Sequence, residues 1–202
     1  MKDNSNKKFW DKVASKYSKF MKNNTETFEK SSGLFAPYLN KNQKALEIAC
    51  GTGQYSTLLA DKTASYHATD FSEKMVQIFQ KSYQGDKITF GVEDGANLTF
   101  PNETFDVVVI ANALHIMPNA DVVVAEIKRV LKTGGLIIAP TFTRADEKSL
   151  RMKFLSLIGF KTYKEWTKFQ FENYLEKHSF KMVFSDEVKA KPLSECILIA
   201  RK

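Results

Sequence analysis

The stretch ALEIACGTGQYS, Ala45 to Ser56, decides how this 202-residue chain folds. Ala45 to Ala49 is a short apolar run with a single acid, Glu47, inside it, and it reads as a strand. Cys50-Gly51-Thr52-Gly53 reads as a tight turn. A helix is expected directly behind it, with Tyr55, Leu58 and Leu59 on its apolar side. Gly51 and Gly53 carry no Cβ, so the backbone there can approach a ligand and adopt conformations that other residues avoid. Strand, glycine turn and helix in this order gather backbone N–H groups at one point, which favours an anionic group.

Outward from that stretch the pattern repeats. A strand covers Ser65 to Thr69 and ends at Asp70, and Ser72 is placed to cap a helix bearing Met75, Ile78, Phe79 and Tyr83. Ile88 to Val92 is a third strand. FDVVVIA, Phe105 to Ala111, is β-branched and nearly continuous, as in a strand buried on both faces. A helix capped at Asp121 carries Val123, Ile127, Val130 and Leu131 and stops at Gly134-Gly135, with a further strand over Leu136 to Phe142. Strand and helix in alternation predict an α/β fold: a parallel sheet with helices on both faces.

The flanks differ. Phe9, Trp10, Val13, Ala14, Tyr17, Phe20 and Met21 lie at helical spacing, and a second helix spans Thr25 to Tyr38, limited by Pro37. Downstream, Leu150, Phe154, Leu157 and Ile158 form one helical face closed by Gly159, and Thr167 to Gln170 is a capping-box pattern. Lys181 to Val188 and Cys196 to Ala200 read as strands joined by a short loop at Pro192. That loop is too short for a parallel return, so the pair is predicted antiparallel.

Glu47 bears on which ligand the glycine turn takes. A carboxylate beside a pyrophosphate is repulsive, whereas S-adenosylmethionine (SAM) carries an ammonium and a sulfonium that acids favour. G-T-G also falls short of the full G-x-G-x-x-G dinucleotide fingerprint. SAM is the better fit, its methionine carboxylate taking the anion position. Asp70, at a strand end, can accept ribose hydroxyls, a feature common to SAM and NAD sites. Asp94-Gly95-Ala96 follows the third strand, where a carboxylate and an N–H can meet an adenine edge. Asn112 to His115 follows the fourth, at the rim where open sheets bind ligands.

Taken together, E-x-A-C-G-T-G, T-D-F-S-E-K-M, E-D-G-A-N-L-T-F-P and F-D-V-V-V-I-A-N-A-L-H resemble the motifs of class I SAM-dependent methyltransferases. The resemblance is to the branch that includes the ubiquinone/menaquinone biosynthesis C-methyltransferases. It covers about Lys44 to Phe142, and extends more loosely to F-W-D-K-V-A-S-K-Y and E-W-T-K-F-Q-F-E-N-Y-L-E-K-H-S-F. It implies a Rossmann-like seven-stranded sheet of order 3-2-1-4-5-7-6 with strand 7 antiparallel, in agreement with the hairpin. It further implies that Glu47, Ala49, Gly51 and Gly53 line the methionine half of SAM, with Cys50 between them. Asp70 would hold the ribose beside Phe71 and Met75, Asp94 and Gly95 would meet the adenine, Asn112 would close the methionine side, and Tyr17 would cover the cofactor. Ala49 departs from the family's usual first glycine, and Gly95 stands where alanine is commoner.

Composition bounds the remainder. The chain is 43% hydrophobic and 26% charged, as in an ordinary globular protein, with no apolar run near the roughly 20 residues of a membrane span. No secretory leader is read at the N-terminus, and a cytoplasmic location is expected. The charge of +7 comes almost entirely from lysines spread along the chain, without a basic block, so nucleic acid is disfavoured as a partner. Cys50 and Cys196 suggest neither a disulfide framework nor a metal site, and Cys50 reads as a packing residue rather than a nucleophile. One domain is expected over 1–202: an N-terminal helical cap (1–40), a SAM-binding core (41–142), a substrate lid and helix (143–180) and a terminal hairpin (181–202). A monomer or homodimer suits that size. No motif names a catalytic residue. His115 is a candidate base at the crevice, although lining it is the simpler role. The expected reaction is methyl transfer to a small-molecule acceptor. An RNA or protein methyltransferase and a non-catalytic SAM-binding protein are the alternatives.

Overall fold

In the computed structural model, which describes residues 4–22, 25–143, 162–188 and 194–202, the apolar runs pair as seven strands. These are β1 (Lys44–Ile48), β2 (Ser65–Asp70), β3 (Ile88–Val92), β4 (Phe105–Ile110), β5 (Leu131–Thr143), β6 (Lys181–Val188) and β7 (Ser194–Arg201). They form one sheet of order β3-β2-β1-β4-β5-β7-β6. The first five are parallel, and β7 runs antiparallel between β5 and β6. The predicted order and the reversed last strand are both present.

The pleat sends alternate residues to opposite faces, and each face has its own core. Leu46 and Ile48, Val108 and Ile110, Ile137 and Ala139, and Leu198 and Ala200 face one side. There they meet Val123, Val124 and Ile127 of α5 (Ala120–Val130) and Phe171 and Leu175 of α6 (Lys168–Lys177). Ala45, Val107, Val109, Ile138, Ile197 and Ile199 face the other side. That core is completed by α1 (Asn4–Lys22), α2 (Thr25–Phe35), α3 (Ser56–Leu59) and α4 (Glu73–Ser82), through Met21, Phe28, Phe35, Leu59 and Phe79. Each large side chain removed from water here contributes about 1.5–3 kcal/mol, which explains why the central strands are almost wholly apolar. Glu47 on β1 and Glu195 on β7 are buried exceptions, and both belong to the second face.

Local signals place most element ends. Ser72 caps α4 by accepting from the Met75 N–H, and Thr167 and Gln170 form the expected reciprocal capping box at α6. Pro37 falls in a 3₁₀ turn, Ala36–Tyr38, that finishes α2. Three expectations are corrected. The helix after the glycine turn is four residues long and passes into a 3₁₀ turn at Ala60–Lys62, because the turn itself consumes the residues up to Tyr55. Helix α5 stops at Val130 rather than at Gly134-Gly135. Leu131 is drawn into the sheet opposite Phe105, and the register then shifts across Gly134, whose φ is +79°. Asp121 does not cap α5; Asn119 occupies that position, and the Asp121 carboxylate instead receives Lys164 Nζ at 3.0 Å. The helical face at Leu150 to Gly159, most of the expected lid, and the Pro192 loop lie outside the described residues.

Candidate active site

Strand order reverses between β1 and β4, and at such a switch point loops diverge and leave a crevice at the carboxyl ends of the strands. The chain leaves β1 through Ala49 (φ +57°), Gly51 (φ +57°) and Gly53 (φ +90°). Three left-handed residues in five turn it sharply. A Cβ on Gly53 would fall 2.1 Å from the Phe79 ring, so only glycine fits. Over Gly51 the nearest atom to such a carbon would be Cε1 of Tyr17, at 3.5 Å, so helix α1 lies directly above the turn. The turn is closed by Gly53 N–H donating to Cys50 O at 3.0 Å and fastened to β2 by Cys50 N–H to Thr69 O at 2.8 Å.

Asp70 ties the same region together. Its Oδ2 accepts the Gly51 N–H at 2.9 Å and its Oδ1 accepts the Ser72 N–H at 2.8 Å. Burial raises its pKa to about 6, the two backbone donors working in the other direction. Glu47, 1% exposed, accepts from the Ser56 hydroxyl and from Tyr66 OH at 2.8 Å. Burial pushes its carboxyl up to about 7, Asp70 adding in the same sense. Burial, then Asp70 and Glu47, raise the Cys50 thiol well above its ordinary value, which removes it as a nucleophile.

A shallow cleft adjoins the turn, its roughly 280 Å³ of empty space continuous with open solvent. It is lined by Tyr17, Glu47, Ala49, Cys50 and Asn112 among the residues read from sequence. Gln54 and Tyr55 of the turn, with apolar Met21 and Phe28, complete most of the wall. Asn112, with φ +52°, follows β4 and donates its N–H to Pro140 O at 2.7 Å. Its side-chain Oδ1 is buried and has no hydrogen-bond partner. The remaining predicted residues lie off this cavity. Phe71 stands beside Lys7, whose Nζ is 5.7 Å from the ring, and Met75 is buried in α4. Asp94 Oδ1 accepts the Ala96 N–H at 3.0 Å in a local turn. Gly95 packs on Ile48, to which an added Cβ would come within 3.1 Å, so glycine is the easier residue there.

His115 sits in a 3₁₀ turn, Leu114–Ile116, 7% exposed, with Nδ1 3.2 Å from Thr141 Oγ1. Burial lowers its pKa to about 4, so it is a neutral imidazole at neutral pH. It is not among the cavity's lining residues.

Sequence reasoning passed over Glu195. Its carboxylate, wholly buried, accepts from the Ser31 hydroxyl, from Tyr55 OH at 2.7 Å and from Asn112 Nδ2 at 2.6 Å. One signal was present: like Glu47, it is an acid set against an apolar strand. Chemically, the cavity region gathers buried carboxyls and an idle acceptor, and among the described residues no lysine or arginine lines it. Such a site suits a ligand with a cationic N–H donor and repels an exposed phosphate. Among the described residues no cluster could hold a metal ion.

Residues 46–139 match a family model described as a methyltransferase domain. The chain is 30% identical over 162 residues to the demethylmenaquinone methyltransferase of Staphylococcus epidermidis, covering 72% of this chain and 67% of that protein. It is 33% identical over 106 residues to the Staphylococcus aureus demethylmenaquinone methyltransferase, 50% of this chain and 43% of the relative. With several relatives, therefore, the match spans less than half of their length. Among solved structures, the S-adenosylmethionine dependent methyltransferase from Mesorhizobium loti superposes with a TM-score of 0.68 at 15% identity, covering 85% of this chain and 98% of that one.

Proposed function

Since the chain belongs to the class I SAM-dependent methyltransferase family, we propose that it transfers a methyl group from S-adenosylmethionine to a small-molecule acceptor. The observation that carries this is the buried, unpartnered Oδ1 of Asn112, a residue that lines a cavity together with Glu47 and, among the described residues, with no lysine or arginine. The ammonium of the cofactor's methionine part is the donor such a place lacks.

In this assignment Glu47 supplies negative charge, while Ala49, Cys50, Gly51 and Gly53 bring backbone close to the methionine end. Asp70 keeps lone pairs beyond the two N–H groups it accepts, enough for ribose hydroxyls, with Phe71 and Met75 alongside. Asp94 and Gly95 are assigned to the adenine, and Tyr17 covers the bound molecule from α1. The cofactor supplies an already activated methyl carbon, so the protein's part is alignment and exclusion of water rather than bond activation. His115, whose pKa burial lowers to about 4, is a weak base at neutral pH and is assigned to lining the acceptor side of the crevice. A quinone-like or lipid-like acceptor is favoured by the named activity of the relatives. No helix of the described residues is long and apolar enough to cross a membrane. Buried, unpaired Cys50 and Cys196 support a reducing, cytoplasmic setting.

Calorimetric titration with SAM, S-adenosylhomocysteine and NAD tests the assignment. Saturable binding of the first two and none of NAD is expected, with Asp70→Asn weakening both SAM-type ligands about tenfold or more. A wild-type protein that ignores both would refute it.

A further inference from the structure

Glu195 does not line the cavity, yet it is bonded to two residues that do. Its Oε1 accepts both Tyr55 OH and Asn112 Nδ2, and its Oε2 accepts the Ser31 hydroxyl. The three donors come from the turn before α3, the loop after β4, and α2, so one carboxylate on β7 binds three separate pieces of chain. All three partners donate, which is the pattern an ionised carboxylate satisfies. Burial raises the Glu195 pKa, and the same three hydrogen bonds oppose the rise.

The chemical consequence lies in Asn112. An amide has a donating end and an accepting end, and packing alone distinguishes them poorly. A carboxylate can only accept, so Glu195 must take the NH2 end, at 2.6 Å. Oδ1 is then the end left over, and it is the atom found buried without a partner. We propose that Glu195 is a positioning residue: it locks the Asn112 amide so that a carbonyl oxygen, not an NH2 group, meets the cofactor's ammonium. The proposal rests on the assignment of the cavity to SAM. It makes selection for an ammonium at this point depend on a residue from the last strand, one that never touches the ligand.

Glu195→Gln tests it with little change of shape. The glutamine can donate to Asn112 Oδ1, which frees the amide to turn over. Titrations should use S-adenosylhomocysteine, which carries the ammonium, and 5′-methylthioadenosine, which lacks the whole amino-acid portion. Expected is a loss of about tenfold or more for the first ligand and no change for the second. Asn112→Gly, which keeps the left-handed backbone, should show the same selective loss, and adding Glu195→Gln to it should cost nothing further. Unchanged S-adenosylhomocysteine affinity in Glu195→Gln overturns the proposal. So does an equal loss for both ligands, which would mark Glu195 as mere scaffolding. If wild type binds neither ligand, the cofactor assignment is what fails. Should Glu195→Gln not fold, nitrogen-15 NMR of wild type decides, with the Asn112 side-chain signal identified by its absence in Asn112→Gly. Slow exchange of those amide protons with and without S-adenosylhomocysteine is expected, and exchange at the rate of a free amide overturns the proposal.

Discussion

Ala49 holds a backbone conformation, φ +57°, that costs an L-residue about 1–2 kcal/mol through contact of Cβ with the following carbonyl. The family resemblance puts glycine at this position, and the geometry explains that preference. Alanine is accommodated because the neighbouring glycines take the other left-handed positions and Cys50 N–H fixes the turn to Thr69. Ala49→Gly relieves the strain but gives the unfolded chain more freedom, at about 0.5–1 kcal/mol. A net gain of up to about 1 kcal/mol is expected, seen as a higher urea midpoint at unchanged slope. A lower midpoint would mean that Ala49 contributes packing that outweighs its strain.

Arg129 on α5 organises the loop that joins β3 to β4. Its guanidinium donates to Phe100 O, Leu98 O and Asn102 Oδ1 at 2.8–2.9 Å and pairs with Glu126 at 2.7 and 2.9 Å. Glu126 in turn accepts the Leu98 N–H at 2.8 Å. The same loop carries Asp94 and Gly95 upstream of these contacts, so an ion pair on one helix fixes the part of the loop that follows the segment assigned to the adenine. Removing Arg129 leaves two backbone carbonyls short of a donor, in a half-exposed setting where water replaces part of the loss. Arg129→Ala should cost about 1–2 kcal/mol in chemical denaturation. Hydrogen exchange should quicken at 98–102 and stay unchanged at 50–53. A uniform change across both segments would show that the loop is held by more than this contact.

Across the molecule, titration couples the site to stability. Glu47 and Asp70 are raised to about 7 and about 6 by burial, whereas carboxyls in the unfolded chain titrate near 4. As pH falls from 8 the folded protein gains protons that the unfolded chain does not, so the ligand-free protein becomes more stable. Below about 6.5 the trend is opposed, because His115, lowered to about 4, stays neutral while an unfolded histidine charges. The melting temperature of the free protein should therefore climb from pH 8 to about 5, since the two carboxyls that take up protons outweigh His115, which opposes them. Cofactor binding should run the other way. An ionised Glu47 favours the ammonium, so S-adenosylhomocysteine affinity should be higher at pH 8 than at pH 6. Equal affinities at the two values would remove Glu47 as a charge partner.

The alternation of short apolar strands with helical periodicity determined the sheet, its order through the family motifs, and its reversed last strand, because these depend on patterns within a few residues of one another. ALEIACGTGQYS marked the turn and Glu47 in the same way: glycines and a lone acid in an apolar run are anomalies visible in one dimension. Only the tertiary structure decided which residues meet. Ser31, Tyr55, Asn112 and Glu195 lie as far as 164 positions apart and converge through sheet pairing of β7. Asp70 likewise proved to hold the glycine turn, and the helix behind that turn proved to be one turn long. A hydrogen bond between distant strands leaves no periodic trace, since any acid near an apolar run has the same local pattern whether or not a partner waits across the sheet.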